Sequence, residues 1–237
     1  MAHAAAMKRF WKEVAVAPGD GGFRITLDGR AIRTQGGAPQ VLPRASLAEA
    51  LAEEWRSQGE EVDPHAFVLR DLADLAIDEI APNREATIAR LLAYGETDTL
   101  CYRADPDEPL YRRQTELWEP LLRAFERQRG VRLTRVSGII HRAQPPATMV
   151  RLREDLEALD PFELAALGTL APLAASLVVA LEALSVDADP TALFAAANCE
   201  QDWQAELWGW DAEAERSRAT RLATFVAAVR FARLARS

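Results

Sequence analysis

The stretch Leu91-Leu92-Ala93-Tyr94-Gly95-Glu96-Thr97-Asp98-Thr99-Leu100-Cys101-Tyr102-Arg103-Ala104 holds the densest mixture of aromatic, acidic, hydroxyl and thiol groups in the chain. Residues before it carry β signals with some helix, and residues after it read as helix. A segment at such a switch either joins two domains or carries chemistry. Gly95 offers a bend there, and Asp98 or Thr97 offers local backbone hydrogen bonds to pin it.

Toward the amino terminus, Phe10, Lys12, Val14 and Val16 recur at the two-residue period of a strand face, and Gly19-Asp20-Gly21-Gly22 follows as a turn. Phe23–Leu27 alternates again. Asp28-Gly29 then suits a type I′ hairpin, which needs positive φ at both central residues, and Arg30–Thr34 returns as its partner. Gly36-Gly37 and Val41-Leu42 suggest a further edge. Ser46 with Glu49 reads as a capping box opening a helix to about Gln58, with Leu47, Leu51 and Trp55 on its apolar face and Glu54 and Gln58 beside it. Asp63-Pro64 breaks the chain. Leu69, Leu72, Ala73 and Ala76 mark a second helix, and Ile88, Leu91 and Leu92 a third that enters at about Asn83.

Toward the carboxyl terminus, Leu110–Gln128 is helical, with Pro120 expected to kink or restart it. Val131–Ile140 fits no single period and reads as a short strand or loop. Leu152, Leu156 and Leu159 mark the next helix, and Asp160-Pro161 with Glu163 starts another. Leu164–Leu184 is apolar, but Gly168, Thr169, Pro172, Ser176 and Glu182 interrupt it, so it reads as a buried helix pair broken near Pro172 rather than a membrane span. Asp189-Pro190 leads a helix from Thr191 to about Trp208, which Gly209 stops, and Asp211–Arg236 closes the chain. The fold class is α+β: a β-rich amino-terminal domain with some helix at 8–93, then an all-helical domain at 94–237.

The 237 residues, 49% apolar and 27% charged, are ordinary globular composition. A net charge of -8 argues against a general nucleic-acid binder. The arginines at 216, 218, 221, 230, 233 and 236 read as a solvated face pairing with Glu213 and Glu215. Cys101 and Cys199 match no disulfide framework or zinc spacing, which points to a reducing compartment and no structural metal. The first seven residues lack a signal-peptide core and transit-peptide arginines, and the six before Met7 read as a frayed start or a non-native addition, with Met7 as the native beginning.

Common catalytic signatures are absent from the sequence: it has no Walker loop, GxGxxG, GxSxG or HExxH. His3, His65 and His141 stand alone. Glu96, Asp98 and Cys101 admit an enzyme reading, an acid–thiol cluster in an interdomain cleft, but a nucleophilic thiol wants an imidazole or a positive helix end. The competing reading makes Cys101 a small buried hydrophobe. Trp203, Trp208 and Trp210 sit among Glu200, Gln201, Asp202, Gln204, Glu206, Asp211, Glu213 and Glu215, and suit either a core anchor or a partner contact.

Several blocks in order carry a family resemblance: Lys8-Arg9-Phe10-Trp11-Lys12, Leu27-Asp28-Gly29-Arg30, Glu54-Trp55 with Gln58, Leu72-Ala73 through Ala76-Ile77-Asp78, and Thr97-Asp98-Thr99-Leu100-Cys101-Tyr102-Arg103. Gln114 with Trp118, Pro120 and Leu121, then Gly138-Ile139, and finally Glu200 with Gln204, Trp208 and Gly209 continue them. The chain resembles the assembly chaperone of the F1 ATP synthase α subunit, the ATP-twelve family of mitochondria and α-proteobacteria. It departs from the family pattern at Val68, Arg70 and Gln201. The resemblance implies a non-enzymatic, ATP-independent holder of the α subunit that needs no cofactor, is not an integral membrane protein, acts as a monomer and resides in the bacterial cytoplasm. Glu200, Gln204, Trp208, Asp211 and Glu213 are the expected client contacts. Trp55, Gln58, Thr97, Asp98, Tyr102, Arg103 and Trp118 are expected to support the fold.

Overall fold

The computed structural model describes residues 8–138 and 140–236; the expectations for the first seven residues, including His3, and for Ile139 lie outside them. The chain divides into two compact units, Met1–Asn83 with Pro161–Ala165 and Arg230–Ser237, and Arg84–Asp160 with Ala166–Val229. A small antiparallel sheet with helix comes first, and a mainly helical region follows.

In the first unit, β1 (Val14–Gly19), β2 (Gly22–Leu27) and β3 (Arg30–Ala31) form an antiparallel meander in that order. Asp28 and Gly29 have φ of 48° and 79°, the two positive angles of the expected turn. The Asp28 carboxylate also accepts from the backbone N–H groups of Lys12 and Glu13, which holds it below the usual carboxylate range. β1 starts later than the alternation suggested: Phe10 is exposed while Trp11 is buried against Trp55, which packs in turn on Phe67. The expected further edge exists only as isolated bridges, Phe23 to Leu42 and Arg33 to Pro39.

Helix α1 (Ala45–Arg56) buries Leu47, Leu51 and Trp55 as its periodicity requires. The capping box does not form. Arg44 is the N-cap residue without a side-chain cap, and Ser46, already inside the first turn, gives its hydroxyl to the Leu234 carbonyl. Glu54 instead caps the next helix, α2 (Val68–Leu75), accepting from the N–H groups of Leu69 (2.7 Å) and Arg70 (3.0 Å). Gln58 fixes the intervening loop by accepting from Asp63 N–H at 2.8 Å. Val68 stands at the first position of α2, where proline would also fit. A π-turn at Ala76–Ile80 follows α2, and Asp74 and Asp78 hold the 34–40 loop through Gln40 Nε2 (2.6 Å), Gln35 N–H, the Thr34 hydroxyl (2.7 Å) and Gly36 N–H.

The second unit is built on α3 (Arg84–Glu96), α4 (Pro109–Arg129), α5 (Pro146–Glu157), most of α6 (Pro161–Ala174), α7 (Leu177–Ala183), α8 (Pro190–Ala197), α9 (Cys199–Trp208) and most of α10 (Ala212–Arg236). Two short strands, β4 (Tyr102–Arg103) and β5 (Val136–Ser137), pair in parallel. Trp118 is fully buried and donates its indole N–H to the Ala196 carbonyl at 2.7 Å. Pro120 neither restarts nor breaks α4, which runs continuously to Arg129 and ends at Gly130 in the left-handed region. The long apolar run is a helix pair, but it breaks at Ala175 and Ser176, after Pro172, with Ser176 capping α7 through Val179 N–H (3.0 Å).

The helix expected from Thr191 to Trp208 is two helices, because the chain turns at Asn198. The carboxyl-terminal arginines are a solvated face only in part: Arg216 and Arg230 are exposed, but Arg218 forks onto Asp202, Arg221 bonds Gln201, Asn198 and the Leu173 carbonyl, and Arg236 pairs with Glu163, partners other than the expected Glu213 and Glu215. These long-range partners cannot be inferred from spacing along α10. Among the described residues no helix is long and apolar enough to cross a membrane.

Candidate functional site

The stretch Leu91–Ala104 lies within the second unit and is structural at its centre. Gly95 is not a bend. It sits buried inside α3, where a Cβ would lie 3.0 Å from Leu152 and 3.1 Å from Leu177, so its lack of a side chain lets α5 and α7 pack closely. Asp98 is buried and does pin the segment: its carboxylate accepts from Leu100 N–H (3.1 Å), the Ser176 hydroxyl (2.9 Å) and Val178 N–H (2.9 Å). Burial pushes its pKa up to about 6 against those donors. Thr97 gives its hydroxyl to the Ala93 carbonyl.

The acid–thiol cluster does not assemble. Cys101 is buried, and burial, then the nearby Asp98 charge, push its thiol up to about 12, so no thiolate is available as a nucleophile. Glu96 meets Gln144 N–H (3.2 Å) and His141 Nε2 (3.6 Å), while His141 Nδ1 meets the Tyr102 hydroxyl at 3.1 Å. Cys199 is likewise buried and pushed up to about 11. Among the described residues no three His, Cys, Asp or Glu groups are placed to hold a metal ion.

The margin of the same stretch opens outward. Thr97, Thr99, Tyr102, Arg103, His141 and Glu200 line one open groove, and Tyr111, Arg113, Leu117 and Trp203 line a second, with Glu108 in both. Arg103 is buried on Glu119 at 2.7 Å. Gln114 ties this region to α9, accepting from Ala104 N–H (2.8 Å) and donating to Glu200 (2.6 Å). Arg113 forks onto Glu206 at 2.6 and 2.7 Å and lies over the Trp203 ring.

Glu200, Gln204 and Trp208 follow one another at four-residue spacing and share a face of α9. All three are exposed, Trp208 to 79%. Leu207 is 57% exposed and Trp210 39%, while Trp203 is half-buried under Arg113, so Trp208 and Trp210 are not core anchors. Gly209, at φ 84° and ψ 159°, ends α9, and Asp211 caps α10 by accepting from Glu213 N–H (2.9 Å) and Ala214 N–H (2.8 Å). Asp202 and Glu206 are satisfied by Arg218 and Arg113, whereas Glu213 and Glu215 stand exposed near the turn. An apolar tip with an acidic rim results. Gln114, Arg113 and Leu207 escaped the sequence reading as parts of this surface; their only signal was proximity to signature residues.

Residues 8–126 match the ATP12 chaperone protein family. The chain belongs to that family. It is similar to Atp12 from Paracoccus denitrificans, with 39% identity, a TM-score of 0.92 and coverage of 96% of this chain and 98% of that one. The Atu1473 protein of Agrobacterium tumefaciens superposes with a TM-score of 0.91 at 37% identity, covering 95% of this chain and 85% of that one. Mitochondrial protein atp12 of Schizosaccharomyces pombe is 29% identical over 214 residues, 85% of this chain and 74% of its own length. As an ATP12-family member the chain is a chaperone and not an enzyme.

Proposed function

We propose that this ATP12-family chaperone holds the unassembled α subunit of F1 ATP synthase, without ATP, until the subunit pairs with β. An α subunit awaiting its neighbour exposes a large interface, and such surface aggregates. Covering it stabilises the free subunit by mass action, and release needs only that β bind more tightly. The proposed contact is the α9–α10 turn: Glu200, Gln204 and Trp208 on α9, with Asp211 and Glu213 at the start of α10. The observation that carries it is Trp208, a large apolar side chain at a helix end that the described residues leave 79% exposed. The proposed setting is a monomer in the bacterial cytoplasm.

Co-expression with separate α and β subunits tests the function: soluble recovery of α, not β, rises with this protein, and equal recovery of α with and without it overturns the reading. Trp208→Ala tests the surface. It leaves the melting curve nearly unchanged, because an exposed substitution shifts stability by at most about 0.5 kcal/mol, and weakens α capture about 30-fold or more, the scale of a binding hot spot. Unaltered capture by this variant excludes the α9–α10 turn while leaving the co-expression result standing.

A further inference from the structure

A second surface lies near the other end of α4. From Arg113, which binds α9, to Arg127 the helix advances about 20 Å. There Arg123, Arg127, Arg132 and Arg135 line an open groove with Glu119 and Glu126, leaving two positive charges over in a chain of net charge -8. The groove floor is already organised. Arg135 donates to both Glu119 and Glu126 and to the Leu133 carbonyl. Burial raises the Glu119 pKa, but Arg103, Arg123 and Arg135 outweigh it and hold the group at about 2, so both floor charges are fixed.

The outer arginines are differently placed. The side chains of Arg127 and Arg132 are exposed and make no hydrogen bond or ion pair among the described residues, and Arg123 touches only Glu119 while its side chain is 67% exposed. Arginine in the last turn of a helix complements the helix dipole. That accounts for Arg127 and for Arg129, which lies on Asp155 (3.0 Å) and Glu182 (2.8 Å), but not for Arg132 beyond the helix or Arg123 a turn before it.

We propose that this groove docks an acidic segment of a partner protein, gripped by Arg123, Arg127 and Arg132. Guanidinium forks suit carboxylates. The groove is open and charge-lined, unlike the enclosed, mostly apolar pockets that take small molecules. Three guanidinium groups, one of them already on Glu119, also fall well short of the roughly six to ten phosphate contacts of a nucleic-acid surface. Screening over about 8 Å at physiological salt lets the local excess outweigh the distant net charge. The site does not depend on the α-subunit reading, and its test uses no ATP synthase subunit.

The full-length protein is titrated into a fluorescein-labelled oligoglutamate peptide and followed by anisotropy. Saturable binding that weakens between about 50 and 200 mM salt is expected, with about a tenfold or greater loss in Arg127→Glu/Arg132→Glu and a smaller loss in Arg127→Gln/Arg132→Gln. Among the described residues neither side chain makes a hydrogen bond or ion pair, and Arg132 acts on Glu126 only through its charge, so the glutamine pair keeps the parent melting curve; should the charge reversal fail to fold, the glutamine pair decides. Absence of saturable binding, equal binding by the variants, or displacement of the peptide by equimolar inorganic phosphate or ATP overturns the proposal.

Discussion

Replacing Asp98 by alanine should destabilise the second unit strongly. The substitution removes the acceptor for three buried donors: the N–H groups of Leu100 and Val178 and the hydroxyl of Ser176. The two backbone donors cannot turn elsewhere, and each stranded donor costs about 1–3 kcal/mol, for a total of about 3–6 kcal/mol with the hydroxyl and lost packing included. That is a large part of the roughly 5–15 kcal/mol that stabilises an ordinary domain. Because two units need not unfold together, the assay is urea denaturation by circular dichroism combined with hydrogen exchange at residues 99–101 and 177–179.

Asp98→Asn, which cannot ionise, adds the pH arm. The folded pKa of about 6 lies above the ordinary 3.8, so the native state holds the proton more tightly than the unfolded chain. The stability from that proton is fully present below 3.8 and is lost as pH rises through about 6, a span of about 3 kcal/mol. The stability of the parent minus that of Asp98→Asn should therefore grow by up to about 3 kcal/mol from pH 7 to pH 4. Other carboxylates, including Glu119 with its opposite sign, cancel in the difference. A loss under about 1 kcal/mol in Asp98→Ala, or a difference that is flat or shrinks on acidification, refutes the reasoning.

Gly95→Val should cost about 1–3 kcal/mol, measured by urea denaturation, because its side chain enters the space of Leu152 and Leu177. At Gly22 a Cβ would lie 2.2 Å from the Leu42 carbonyl oxygen, which accepts from Phe23 N–H, so Gly22→Ala should break that pairing, lower stability by about 2–4 kcal/mol and speed exchange of the Phe23 amide. Cys101, buried and pushed up to about 12, should resist iodoacetamide in the native protein near pH 8 and react only in denaturant; mass spectrometry of the modified peptide reads the difference.

Elements whose cause is local were legible. Asp28-Gly29 needs only its own backbone freedom to make the hairpin, and the Asp189 carboxylate caps the first turn that follows it, as Asp189-Pro190 announced. The Leu47, Leu51 and Trp55 stripe likewise states its buried face by spacing. Ser46 shows where local reading fails: spacing offered a capping box, but a carbonyl nearly two hundred residues away takes the hydroxyl. Asn198 carries no breaker signal strong enough to divide α8 from α9, and the Glu54 carboxylate caps a helix fourteen residues on, a pairing that no periodicity encodes.

For Leu91–Ala104 and the α9–α10 turn, residue order by itself determined the family and the helical surroundings. Tertiary structure decided their roles. Asp98 and Cys101 lie three residues apart and looked like chemistry until burial removed the thiolate and ringed the carboxylate with fixed donors. Trp118 and Trp208 are the same side chain on two helices of the same unit, yet one is sealed in the core and the other stands in solvent. The physical reason is common to all these cases: backbone preference acts within a turn or two of helix, whereas burial, and with it protonation and exposure, is set by segments that only the folded chain brings together.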